Sequence, residues 1–163
     1  MEIKILKKEK CKKDVIEHSI AVRNKAMEIA KCFDNVNLEI IEQGALLHDL
    51  GRSKTHNINH AIEGAKIARK YGYCDEVINI IERHIGAGIS EEESEKIGLP
   101  KKSYVPITIE EKIVAHSDNL VNGTEEVDID FVIEKWERKI ENPEKEIQKL
   151  KELNKFLIES FKE

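Results

Sequence analysis

At 163 residues the chain has the length of one domain, and its hydrophobic fraction of 40% is enough to bury a core. A charged fraction of 36% and a formal net charge of −5 fit a soluble globular protein and make nucleic acid an unlikely partner, while leaving room for a small basic patch. No stretch reaches the roughly 18 apolar residues of a membrane span, and the leading MEIKILKKEKCKK lacks the apolar run of a signal peptide, so a cytoplasmic protein without a membrane partner is expected.

Cys11, Cys32 and Cys74 are odd in number, widely separated and form no CxxC, which predicts reduced, mostly buried thiols. The abundance of Ile, Lys and Glu, with Gln only at 43 and 148, resembles the composition of proteins from hot environments.

Residues 1–11 read as a short extended or frayed lead-in. From Lys12 to Phe33, apolar residues including Val15, Ile20, Val22, Ala26 and Ile29 recur at helical spacing, with His18 in the first turns. Asn37 is placed to cap a second helix that ends at Asp49 or Leu50. Gly44 inside it costs about 1 kcal/mol against alanine, which predicts that another helix approaches closely there. GRSKTHN, 51–57, is a polar loop; Asn59 is expected to cap a third helix that stops at Gly72.

Asp75 opens a fourth helix running to His84, followed by GAG at 86–88. Ser90 and three glutamates start a brief helix with a solvated face, broken by Gly98 and Pro100. Thr108 with Glu111 forms a capping box for the helix that carries His116 and Asp118 before Gly123. Two further helices, split at Pro143, carry apolar stripes (Phe131, Ile133, Trp136, Ile140, then Ile147, Leu150, Leu153, Phe156, Leu157) that serve as core or as a homodimer interface, with Trp136 packed beneath them. The one strand-like stretch is 103–107. The fold class is therefore all-α: a single-domain irregular bundle of about seven helices over residues 1–163, with a core at about 12–122 and C-terminal helices at about 130–162 packing on it.

The chemistry gathers at ALLHDLGRSKT, 45–55, where an apolar helix stops on the adjacent pair His48 and Asp49. His18, His60, His84 and Asp118 also fall near helix ends, so six side chains from five elements can converge on one cleft. Imidazoles and carboxylates without a thiolate suit one or two divalent transition ions (Fe, Mn, Ni, Co or Zn) better than Mg or Ca. His56 competes with His60 for one position, and His116, about 200° around the helix from Asp118, points to a core or supporting role. Arg52, Lys54 and Arg83 flank the ligands and are candidate phosphate donors, Lys54 foremost.

The order His…His-Asp…Asp, with EHSIAV at the first histidine, ALLHDLGR at the pair and AHSDNL at the last aspartate, resembles the HD superfamily of metal-dependent phosphohydrolases over about residues 12–122. HAIEGA at 60–65 and RHIGAG at 83–88 resemble the added histidines of its two-metal branch, which includes dinucleoside tetraphosphate hydrolases and cyclic-dinucleotide phosphodiesterases. The resemblance implies that His18, His48, Asp49 and Asp118 hold a first ion, and that Asp49 bridges to a second on His60 and His84. Two ions about 3.5–4 Å apart orient a water for in-line attack on phosphorus, so the catalytic roles fall to Asp49 and, for phosphate, Lys54. The implied substrate is a small, nucleotide-like phosphoester or phosphoanhydride. The paired histidines and GYP-like segment of the cyclic-dinucleotide branch are missing after His84. Two other readings stand beside this one: a di-iron oxygenase on the same fold, and a catalytically silent metal- or nucleotide-binding regulatory module.

Overall fold

The computed structural model describes residues 1–161; residues 162 and 163, which the single-domain reading includes, lie outside the described residues. The chain opens with helix α1 (Glu2–Lys8), not with an extended lead-in. Leu6 is fully buried and Ile5 nearly so, in one cluster with Val15, Leu47, Leu50 and Val77. Each such side chain is worth about 1.5–3 kcal/mol. The hydroxyls of Tyr71 and Tyr73 donate to Glu9 (2.7 Å) and Glu2 (2.9 Å), which fastens both ends of this helix. Tertiary burial thus makes a helix of a segment too short to show a period.

Helix α2 (Lys13–Ala30) packs against α3 (Leu38–Leu47) and α7 (Ile109–Asn119), and α3 lies against α5 (Asp75–Glu82). Asn37 caps α3 as its position predicts, its side chain accepting from Ile40 N at 3.1 Å. The close approach expected at Gly44 is made by Ile80 of α5: a Cβ on Gly44 would stand 2.7 Å from that side chain. Between α3 and α4 (His60–Lys70) the predicted loop contains a 3-10 turn, Leu50–Ser53. Asn59 takes the N-cap position of α4 without a side-chain cap, and Asn57 Oδ1 instead accepts the Asn59 N–H at 2.8 Å.

Capping boxes start α6 (Glu91–Lys96), through Ser90 and Glu93, and α7, through Thr108 and Glu111. The 103–107 stretch contributes only a bridge between Ile89 and Tyr104. The strands lie elsewhere, in a two-residue hairpin of β1 (Val121–Asn122) and β2 (Glu125–Glu126) with Val121 opposite Glu126. The two-residue turn between them is Gly123-Thr124, and Gly123 takes the positive φ that a glycine-first hairpin turn requires.

Helices α8 (Ile129–Lys139) and α9 (Glu144–Leu157) separate at Pro143 and close one end of the bundle, burying Val132, Leu150 and Leu157. His116 faces α9, its Nε2 2.9 Å from Asn154 Oδ1. Only Cys11 of the three cysteines is buried, because Cys32 and Cys74 fall in exposed helix-end turns. Among the described residues no helix is long and apolar enough to cross a membrane.

Candidate metal centre

The six predicted ligands meet at one point. His18 comes from the second turn of α2, His48 and Asp49 from the link between α3 and the 3-10 turn, His60 from the first turn of α4, His84 from just beyond α5, and Asp118 from the end of α7. His48, Asp49, His60 and His84 are buried, while His18 and Asp118 are half-buried at the edge of a cavity.

Gly51 explains how the pair reaches α4. A Cβ there would stand 1.8 Å from the His60 carbonyl oxygen and 2.6 Å from Gly64 N, so only glycine lets the turn touch the start of that helix. Arg83 fixes the other side. Its guanidinium bonds both oxygens of buried Glu111 (2.5 and 3.1 Å), the same carboxylate that accepts from Ile107 N and Thr108 N. That clamp joins the His84 end of α5 to the start of the helix carrying Asp118.

Every one of the four imidazoles is oriented the same way. Nδ1 of His18 lies 2.6 Å from the Gly123 carbonyl, that of His48 2.6 Å from Ala45, that of His60 2.8 Å from Asn57 and that of His84 2.7 Å from Ile81. A carbonyl only accepts, so Nδ1 carries the proton and each Nε2 turns a lone pair inward. The inward atoms form two sets around the two oxygens of Asp49. Oδ2 lies 3.4 Å from His48 Nε2 and 3.8 Å from His18 Nε2, with Asp118 Oδ1 2.9 Å from His18 and 3.3 Å from His48. Oδ1 lies 3.2 Å from His60 Nε2 and 3.4 Å from His84 Nε2, which are themselves 3.1 Å apart.

These atoms are close but do not bond one another well. His48 Nε2 and Asp49 Oδ1 are both buried without a hydrogen-bond partner among the described residues. Buried groups left so cost about 1–3 kcal/mol each, and two imidazole lone pairs facing each other repel. A divalent cation held by these atoms would answer both problems, so the residues present fit a metal centre of the kind the family resemblance implies.

Without a cation, a proton on His48 balances the two buried carboxylates and supplies the positive charge that a metal ion would bring. Burial opposes ionisation of Asp49 and Asp118, yet His48 and the surrounding histidine hydrogen bonds hold both well below the usual carboxylate range. Burial likewise opposes charge on His48, but those two carboxylates raise it well above the usual histidine range. Burial keeps His84 below that range, aided by the charges of His48 and His60 against the pull of Asp49.

The cavity beside the cluster has a volume of about 270 Å³ and is lined by His18, Asp49, Arg52 and Asp118 on one side and by α8 on the other. A larger concavity, about 940 Å³ between α1, α3 and the α4–α5 turn, holds none of the six ligands. Of the predicted phosphate donors only Arg52 reaches the cavity, its Nε 3.2 Å from Asp49 Oδ2. Lys54 turns into a separate surface groove and lies 3.9 Å from Glu9, and Arg83 is committed to Glu111. His56 stays on the surface, where its carbonyl accepts from Arg52 at 3.3 Å, so His60 is the histidine brought to the cluster. The motif reading misses Asn119, Asn122, Phe131, Lys135 and Trp136, which line the same cavity from α7, the hairpin and α8.

The HD domain family model matches residues 15–123. An uncharacterized protein of Methanocaldococcus jannaschii is 47% identical over 148 residues, 88% of each chain. A tRNA (cytidine(56)-2'-O)-methyltransferase of Picrophilus torridus is 48% identical over 135 residues, 83% of this chain and 39% of that protein. The chain thus spans most of the first relative but only about two fifths of the second. In fold, it is similar to the HD domain of the L. monocytogenes phosphodiesterase PgpH, with a TM-score of 0.59, 20% identity and 97% of each chain covered. A second crystal structure of that domain, in complex with cyclic-di-AMP, gives a TM-score of 0.58 at 20% identity, covering 96% of this chain and 94% of that one.

Proposed function

The chain belongs to the HD domain family, and on that premise we propose that it is a metal-dependent phosphohydrolase that cleaves a small, nucleotide-like phosphoester or phosphoanhydride with water as nucleophile. The observation that carries this is the split of Asp49: each carboxylate oxygen faces its own set of inward-turned imidazoles. His18, His48, Asp118 and Asp49 Oδ2 would hold one ion, and His60, His84 and Asp49 Oδ1 the other.

When bound, such ions supply an acidified water and a Lewis acid for the phosphoryl oxygens. The chain's own residues do the rest. The carbonyls behind each imidazole fix its tautomer and aim, so no ligand has to reorient as the reaction proceeds. Asp118 borders the cavity and engages only its Oδ1 with His18 among the described residues, which leaves Oδ2 to accept a hydrogen bond that orients the attacking water. Arg52, braced by Asp49 and the His56 carbonyl, presents its guanidinium to a phosphoryl oxygen, the planar donor that such oxygens suit.

The cyclic-di-AMP complex of the structural neighbour supports a nucleotide-like ligand. The volume of about 270 Å³ favours something smaller than a cyclic dinucleotide, in line with the missing paired histidines and GYP-like segment. The test is phosphate release by protein loaded in turn with Mn, Fe, Ni, Co and Zn from nucleotides, dinucleotides, cyclic dinucleotides and aryl phosphates. Turnover that Asp49→Asn abolishes is the expected result; loaded, folded protein that hydrolyses none of them defeats the reading. That second outcome would favour a binding module without turnover, a reading supported by the tRNA methyltransferase relative in which the matching region is only 39% of the protein.

A further inference from the structure

The cavity wall opposite the metal centre is built by α8, which begins beyond the family-matched residues 15–123. Phe131, Val132, Lys135 and Trp136 line it from an arc of about 140° of the helix, and Val132 within that arc is buried against Ala87, Leu120 and Leu150 and fixes it in place. Trp136 lies over Gly86, two residues past His84: its ring edge would stand 3.8 Å from a Cβ there.

Trp136 packs by one edge on the cluster of Ala87, Leu120, Val132 and Leu150, but the rest of this wall is little engaged with the protein. Phe131 is 37% exposed and belongs to none of the hydrophobic clusters among the described residues. Lys135 has no carboxylate within 4.0 Å among them, in contrast to Lys102 on Glu82 and Lys149 on Glu93. Asn122 makes no side-chain hydrogen bond among the described residues, and Asn119 uses only its Nδ2, on the Gly86 carbonyl at 3.1 Å. An aromatic surface, a free cation and two amides therefore face one small polar cavity across from the metal ligands.

Building on the hydrolase reading, we infer that α8 selects the substrate: Phe131 and Trp136 seat an aromatic base, Lys135 contacts the phosphate, and Asn119 and Asn122 bond the sugar or the base edge. The substrate class is then a mononucleotide-sized phosphoester. A sugar phosphate would leave the rings uncovered, and a dinucleotide exceeds the volume of about 270 Å³.

Trp136 is the only tryptophan, so its emission reports the wall directly, without turnover. The full chain, stripped of metal with a chelator, is titrated with nucleoside 5′-monophosphates and with ribose 5-phosphate. The nucleotides should change the emission and bind roughly ten- to a hundredfold more tightly, the range set by one base–aromatic stack. Phe131→Ala should erase most of that preference, Lys135→Ala should weaken both ligands alike, and the conservative Trp136→Phe should keep the preference when binding is followed calorimetrically. Equal affinity for ribose 5-phosphate, unmoved emission, or an intact preference in Phe131→Ala overturns the assignment. Metal-loaded protein separates the two readings: if it still releases phosphate from an aryl phosphate, only the α8 assignment falls. If nucleotides bind on α8 but nothing is hydrolysed, only the hydrolase reading falls.

Discussion

Alanine at Gly51 separates the two halves of the metal cluster. The backbone at this position is not in the left-handed region, so alanine costs nothing in torsion and the whole effect is steric. Its Cβ would stand 1.8 Å from the His60 carbonyl oxygen, where ordinary contact begins at 3.4 Å, a shortfall of about 1.6 Å against backbone atoms that no rotamer change relieves. The start of α4 must retreat by a comparable distance and take His60 with it. Zinc–nitrogen bonds span only about 2.0–2.1 Å, so His60 would leave bonding range while His18 and Asp118, on α2 and α7, and His48, held by the Ala45 carbonyl of α3, stay in place. Overpacking of this kind costs about 1–3 kcal/mol, which lowers the melting temperature of a chain this size by roughly 2–12 °C. Elemental analysis should show the bound metal falling from two ions per chain to one, together with that drop in melting temperature. Two ions retained with an unchanged melting temperature would refute both the close contact and the two-set arrangement.

Asp49→Asn should remove the bridge between the sets, and with it bound metal and phosphate release, while circular dichroism shows the helices intact. Arg52→Ala should raise KM about 10- to 100-fold, the value of one charge-assisted hydrogen bond, whereas Lys54→Ala should leave KM unchanged because that side chain faces a different groove; steady-state kinetics on one substrate decides both. Burial holds His116 below the usual histidine range, against its bond to Asn154. Its folded pKa is depressed, so the unfolded chain binds the extra proton below about pH 6.5 and stability is lost as pH falls from there. His116→Gln should flatten the fall in melting temperature between pH 7 and 5. Burial also raises the Cys11 thiol to about 11, so a thiol alkylating reagent at pH 8 should label Cys32 and Cys74 and spare Cys11.

The sequence by itself determined whatever depends on neighbours along the chain. Helical periodicity, the Asn37 cap and the boxes at Ser90–Glu93 and Thr108–Glu111 are local contacts within one turn, and they form where the residue pattern places them. The same locality separates His116 from Asp118 around α7, one turned to Asn154 and the other to the cavity. The six candidate donors were legible as a group because imidazoles and carboxylates recur near helix ends, and three of the four imidazoles are oriented by carbonyls only three residues earlier.

The tertiary structure decided which charges face the cavity and what lies across it. Arg52 and Lys54 sit at a 3-10 turn of three residues per turn, which places them on different sides of its axis, and a motif cannot tell which side looks inward. Arg83 was indistinguishable from a substrate contact until Glu111, 28 residues away, closed on it. Helix α1 forms because Leu6 finds a partner surface, and α8 becomes a wall because Val132 anchors it with Phe131 and Lys135 turned to the cavity. Those outcomes depend on packing between segments far apart in sequence, and no pattern within either segment encodes the angle at which they meet.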